Sequence, residues 1–161
     1  MLETTLLVIT VAVGLGLAVL LIGWFWNRSH AGSAARAEHV FERQRPSLQR
    51  DVLRRAAMSG RPRGLRWKQC ELNGAATLAR DRASRQILAF VGVTVSFEAV
   101  AGGPMEDVEA VGNLRAGTAV FAYTGGKWLT DGRVLFNLDP ADAVQRYEGR
   151  IELLKDVDVK A

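Results

Sequence analysis

Three side chains in the carboxy-terminal part of the chain are of the types that general acid–base catalysis uses: Glu98, Tyr123 and Tyr147. A carboxylate set against a phenol moves a proton when both reach one pocket, and a curved sheet would have to bring them there. Nothing in their spacing does so, and surface or rim positions are the plainer expectation. A second acidic group, Glu106, Asp107 and Glu109, follows Pro104. Three carboxylates offer the oxygens that a hard cation takes, but the spacing is not that of a calcium loop, which needs more ligands and a closing glutamate. A solvated loop, or a contact for a basic segment or a partner, is the expectation.

Cys70 is the only cysteine, so no intrachain disulfide and no multi-cysteine metal site can form. It falls inside an expected strand with no histidine near it and reads as a small buried hydrophobe, not a nucleophile. His30 and His39 are the only histidines, nine residues apart, which is not the spacing that puts two imidazoles on one helix face. Both read as surface residues. There is no phosphate-binding loop, and the Gly14-x-Gly16 pair lies within an apolar run with no strand before it. No catalytic signature and no cofactor follow from the residues.

The elements that would position these groups begin after Gly64. Alternation over 64–72 predicts a strand, Asn73-Gly74 a tight turn, and Thr77 to Ala79 a short returning strand. The clearest element is 87–100, where Ile87, Ala89, Val91, Val93, Val95, Phe97 and Ala99 share one face of a long, half-buried antiparallel strand. A short strand at 107–111 and one at 118–123 follow. Gly125-Gly126 predicts a hairpin into 128–130, and Asp131-Gly132 another into 134–137. Asp139-Pro140 opens a short helix as N-cap and first helical residue, and 151–154 closes the order as a strand. Trp67, Phe97, Phe121, Trp128 and Phe136 read as core, with Trp128 a candidate for a binding rim.

Upstream, residues 4–27 (TTLLVITVAVGLGLAVLLIGWFWN) carry no charge. About 20 apolar residues cross a hydrocarbon core of about 30 Å as a helix. Trp24, Phe25 and Trp26 fit an interfacial aromatic belt, with Arg28 just beyond it. The flank MLE has no Lys or Arg, whereas Arg28, Arg36, Arg43 and Arg45 follow, which places the carboxy-terminal domain in the cytoplasm. A secretory signal cut after Ser29-His30-Ala31 is the alternative; the apolar segment is long for one and lacks a basic start. Ala12-x-x-x-Gly16 and Gly14-x-x-x-Ala18 are small-residue pairs that offer a homodimer contact within the span.

Between span and domain lies a basic stretch. From Arg28 to Lys68 there are eleven Lys or Arg against three Asp or Glu, while from Gln69 onward there are ten against thirteen. Basic charge outside the folded unit argues against nucleic acid as a partner. Residues 33–45 read as helical, Pro46 as an interruption, and 47–58 as a second helix capped by Ser47. Arg61-Pro62-Arg63-Gly64 reads as a hinge.

The organisation expected is thus a short tail (1–3), a transmembrane helix (4–27), a basic juxtamembrane helical connector (28–60), an α+β globular domain (61–155) and a tail (156–161). The domain is expected to hold four to six antiparallel strands with its helices against one sheet face, and the order of a helix then a meander fits a curved arrangement of the NTF2 or cystatin type. The function expected is a membrane-tethered binding or assembly module with a protein partner, contacted through the sheet or the loop at 102–117. The alternatives are an enzyme with a carboxylate/tyrosine pocket in a curved sheet, and peripheral binding of the basic connector to anionic lipid.

Overall fold

The computed structural model describes residues 16–17, 33–58, 64–147 and 149–155. The expected span with Trp24, Phe25, Trp26 and Arg28, the hinge at 61–63 and both tails lie outside the described residues, apart from Gly16 and Leu17, which are helical. Among the described residues no helix is long and apolar enough to cross a membrane.

The fold class is α+β, with a six-stranded antiparallel sheet. Helix α1 covers residues 33–58. It is followed by β1 (Leu65–Asp81), β2 (Ile87–Ala99), a single 3-10 turn (Glu109–Gly112), β3 (Arg115–Thr124), β4 (Lys127–Leu129), β5 (Val134–Phe136), α2 (Pro140–Arg146) and β6 (Ile151–Lys155). The strand order is β4-β3-β2-β1-β6, and β5 also pairs with β3.

β2 is the strand that its alternation predicts. Ile87, Ala89, Val91, Val93, Val95 and Phe97 enter one core cluster, while Phe90 and Leu88 belong to a second on the opposite face. β1 departs from expectation, because Asn73-Gly74 does not turn the chain back. One strand continues from Leu65 to Asp81, and the Asn73↔Gly92 and Thr77↔Phe90 pairs leave two extra residues on β1 between them. Gly74, at φ +67, serves a β-bulge instead of a hairpin. The 107–111 segment is likewise no strand; Glu109–Gly112 makes the 3-10 turn that tucks Val111 into the core.

Asp131-Gly132 is no hairpin either. β4 and β5 both lie along β3, at Ala122–Thr124 and Gly117–Ala119 respectively, so they are two parts of one edge strand interrupted at 130–133. The interruption has a steric cause. Gly132 sits at φ +84 against the backbone of Arg55 and Ala56, where a Cβ has no room.

Helix α1 is the largest correction. Pro46 does not interrupt the helical run, and Ser47 is not an N-cap: its hydroxyl donates to the Gln44 carbonyl at 2.7 Å. Nor is the helix a connector. Ala37, Phe41, Leu48 and Val52 are buried in the main core with the β2 face. Phe41 meets Phe121 and Trp128 edge-on, both at 5.3 Å between centroids. The folded unit runs from Arg36 to Ala161. Its charge is therefore not acidic, since it holds twenty Lys or Arg against sixteen Asp or Glu. The charge argument against nucleic acid, which placed the basic stretch outside the fold, does not survive.

The second helix also differs in position. Asp139 caps α2 as expected, accepting from the Asp142 N–H at 2.8 Å. However, Ala143 and Val144 pack with Ala79, Phe90 and Ile151, on the face away from α1. The two helices thus lie on opposite faces of the sheet.

Truncating Phe41 separates a core helix from a connector. Phe41→Ala should cost about 3–5 kcal/mol, as large-to-small changes of a buried aromatic do. Denaturant unfolding of the full chain in detergent, followed by tryptophan fluorescence, measures it; an unchanged midpoint is what a mere connector would give.

Candidate functional site

α1 covers its face over a long stripe, whereas α2 is only seven residues long. The second face is therefore left partly open, and an open cleft of about 510 Å³ forms there. Its floor is apolar, built from Leu88 and Phe90 of β2 and Val120 and Ala122 of β3. Period-two alternation is what turns these four away from the α1 core while their neighbours Ala89 and Phe121 enter it. Leu129, half exposed, extends the floor to the β4 edge.

The rim is charged. Arg133 and Asp131 come from the β4–β5 interruption, Tyr147 and Arg150 from the turn after α2, Asp81 from the end of β1, and Arg55 from α1. Asp131 accepts the Arg133 backbone N–H at 2.9 Å and pairs with its guanidinium at 3.3 Å. Hydrogen bonding to the Tyr147 side chain, then the Asp131 charge, pushes the Arg133 pKa above its already high ordinary value. Arg133 is thus a fixed part of the wall. Tyr147 in turn packs on Phe90 at 5.8 Å between centroids.

Asp81 is committed to its own turn. Its Oδ1 accepts from Ser84 N–H at 2.7 Å, the Ser84 hydroxyl at 2.9 Å and Ala83 N–H at 3.1 Å. Those bonds, the Ser84 N–H foremost, hold its carboxyl below the ordinary aspartate range, and the charge of Arg150 adds to them.

The acid–base trio that the sequence offers only as an alternative is not assembled. Tyr147 stands at the cleft. Tyr123 is on the α1 side, packed on Trp128 at 5.1 Å. Glu98 shares the cleft's face but lies eight residues along β2 from Phe90, roughly 26 Å at strand rise. It pairs with Arg66 at 3.6 Å. The acidic loop group does not converge either. Glu106 accepts the Gly102 N–H at 2.8 Å and so closes its own loop. Among the described residues no three His, Cys, Asp or Glu side chains come together to hold a metal ion.

Trp128 is core and not rim; its indole N–H donates to the Ala37 carbonyl at 2.8 Å. A second aromatic group, Trp67, Phe97 and Phe136, stacks with centroids 4.8–6.2 Å apart. Trp67 Nε1 is buried there without a hydrogen-bond partner.

Sequence reading missed the cleft, because its residues come from six separate elements and the turns between them, and no spacing links them. One signal was available. A strand face that carries Leu88 and Phe90 opposite an already apolar face needs cover on both sides.

Comparison with protein families, with curated proteins and with solved structures found no match to this chain.

Cys70 gives the clearest titration test. It lies in the α1 core, and burial, with the Glu71 charge second, pushes its thiol from 9.0 up to about 11. The folded protein should react with an aromatic disulfide reagent at pH 8 only after denaturant is added. Stability should also fall as pH rises from 9 toward 11, because the unfolded thiol ionises first while the folded one keeps its proton. Cys70→Ala should lack that decline, as pH-dependent unfolding curves would report.

Proposed function

We propose that the protein is a membrane-tethered binding module that presents the open sheet face to a partner. The observation that carries the binding part is the cleft, an apolar floor inside a charged rim on a face that a seven-residue helix leaves partly open. Half-exposed Leu129 and Leu153 add apolar surface on that side. Specific sites combine such a floor with a few placed polar groups. Binding is favoured over catalysis because Glu98, Tyr123 and Tyr147 occupy different faces and ends of the sheet.

The tether is carried by the uncharged run at 4–27, and only residues 28–35 separate it from the folded unit. The basic flank after the run supports a cytoplasmic domain. A long helix packed on a meander is the feature that supports a curved fold of the NTF2 or cystatin type. Pairing of two spans through Ala12, Gly14, Gly16 and Ala18 belongs to the same reading as a route to a homodimer.

A second reading is favoured by one observation on α1. Arg36, Arg43 and Arg50 recur every seven residues on its exposed side. Beside an anionic membrane each such residue contributes about 1 kcal/mol. This face would then lie toward headgroups, and the cleft, on the other side of the sheet, would face away from them.

Orientation is tested in a chain carrying Cys70→Ser and Lys160→Cys, labelled with a membrane-impermeant maleimide. Labelling only after lysis is expected; labelling of intact cells would overturn the cytoplasmic placement, and release of the chain by alkaline carbonate would overturn the tether. For the α1 face, amide exchange of the full chain is compared in zwitterionic and anionic nanodiscs. Added protection of α1 in anionic discs, lost when Arg36, Arg43 and Arg50 become Gln, is expected. Equal protection in both discs rejects the lipid contact.

A further inference from the structure

We infer that the cleft on the α2 side of the sheet binds a monoanionic amphiphile, an acid with one carboxylate and a medium-length apolar chain. This rests on the binding part of the proposed function and not on the tether.

The apolar half of the ligand is read from the floor. Leu88, Val120 and Ala122 are half-buried around a fully buried Phe90, and all four line the open cleft beside the α2 residues Ala143 and Val144. Water on such a surface is held poorly, and displacing it with an alkyl or aryl group is favourable at about 25 cal/mol per Å² covered. The volume of about 510 Å³ falls within the range of small-molecule sites.

The sign and number of charges come from the rim. Three guanidinium groups, Arg55, Arg133 and Arg150, stand against two carboxylates, Asp81 and Asp131, so one positive charge is left over. The carboxylates are not available to recruit a cation. Asp131 is taken by Arg133 through both its oxygens, and Asp81 by the Ser84 turn. Arg133 is itself held by Asp131 and Tyr147, so Arg55 and Arg150, both exposed at the rim, are the guanidinium groups that meet the ligand, Arg150 from beside the Asp81 carboxylate, on which its charge acts. One excess charge matches a carboxylate better than a dianionic phosphate, and the guanidinium fork receives a carboxylate with two parallel hydrogen bonds.

The test is a calorimetric titration of the full chain in zwitterionic nanodiscs, with heats from protein-free discs subtracted. Octanoate, octanol and inorganic phosphate are the probes. Octanoate should bind saturably, octanol at least tenfold more weakly, and phosphate without saturation. Arg150→Gln and Arg55→Gln, both exposed and outside the core, should each weaken octanoate binding about tenfold. Ala122→Phe, which fills the floor, should abolish it, with the melting curve checked for folding. No saturable octanoate heat, octanol binding as tightly as octanoate, saturable phosphate binding, or full octanoate affinity in the Arg55→Gln, Arg150→Gln double variant would each overturn the inference. A chain that stays membrane-bound yet ignores octanoate loses this inference alone; one that binds octanoate but is released by carbonate loses only the tether.

Discussion

The contact on which the rest of the structure depends is Phe41 set between Phe121 and Trp128. It closes the helix layer against the edge of the sheet, and the Trp128 indole N–H on the Ala37 carbonyl fixes the register of that closure. Aromatic pairs at these edge-on geometries add about 0.5–1.5 kcal/mol each beyond the area they bury. Polar side chains of the same helix complete the seal. Gln44 Oε1 accepts the Trp128 backbone N–H at 3.0 Å on one edge, and Gln49 Oε1 accepts the Leu72 N–H at 3.2 Å on the other. Arg45 reaches the Gly74 carbonyl at the β1 bulge at 2.8 Å. One helix therefore buries the sheet's apolar face and satisfies backbone groups on both flanks, where open strand edges would otherwise invite pairing.

The same packing shapes the cleft. For Ala56 to approach the sheet, the edge strand must give way, and it does so at Gly132, where only a residue without Cβ fits. Thr130 stabilises the resulting loop by donating to the Val120 carbonyl at 3.1 Å while accepting the Gly132 N–H at 3.0 Å. The loop then carries Asp131 and Arg133 to the rim on the opposite face. Helix packing on one face and the charged wall of the cleft on the other are thus consequences of a single interruption in β4–β5.

What was legible in the sequence was whatever rests on local periodicity. β2 shows itself because its two faces differ in polarity over most of its length, and α2 because Asp139-Pro140 is both cap and first turn. The misreadings share a cause, in that a local signal was put to a non-local use. Asn73-Gly74 supplies a positive φ, which a hairpin and a bulge need equally, and only the pairing of β1 with β2 on both sides of it decides for the bulge. Pro46 lies where the helix passes from its contacts with Trp128 to those with β1 and Gly132, and tertiary contacts on either side outweigh the lost backbone bond. The apolar stripe of α1 was hidden because arginines dominate its composition, and because Gln44 and Arg45 stand where another apolar pair would have revealed it.

Charge and burial in α1 are two sides of one design constraint. The attachment of so basic a helix to the sheet rests on few, fully buried residues: Ala37, Phe41 and Val52 are wholly excluded from solvent, and Leu48 is nearly so. Arg45 takes part in the packing, over the Phe41 ring and on the Gly74 carbonyl, whereas Arg36, Arg43 and Arg50 stand exposed where long-range electrostatics can use them. The sheet reverses the arrangement. Its α1 face is covered by the helix, and the apolar surface left open is on the other side, ringed by charges: Asp131 and Arg133 are tied to each other, Asp81 is held by its Ser84 turn with the Arg150 charge beside it, and Arg55 and Arg150 stand exposed. Affinity for a ligand needs both a desolvated floor and a charge not yet answered, and among the faces of the described residues the α2 side is the one that supplies the two together.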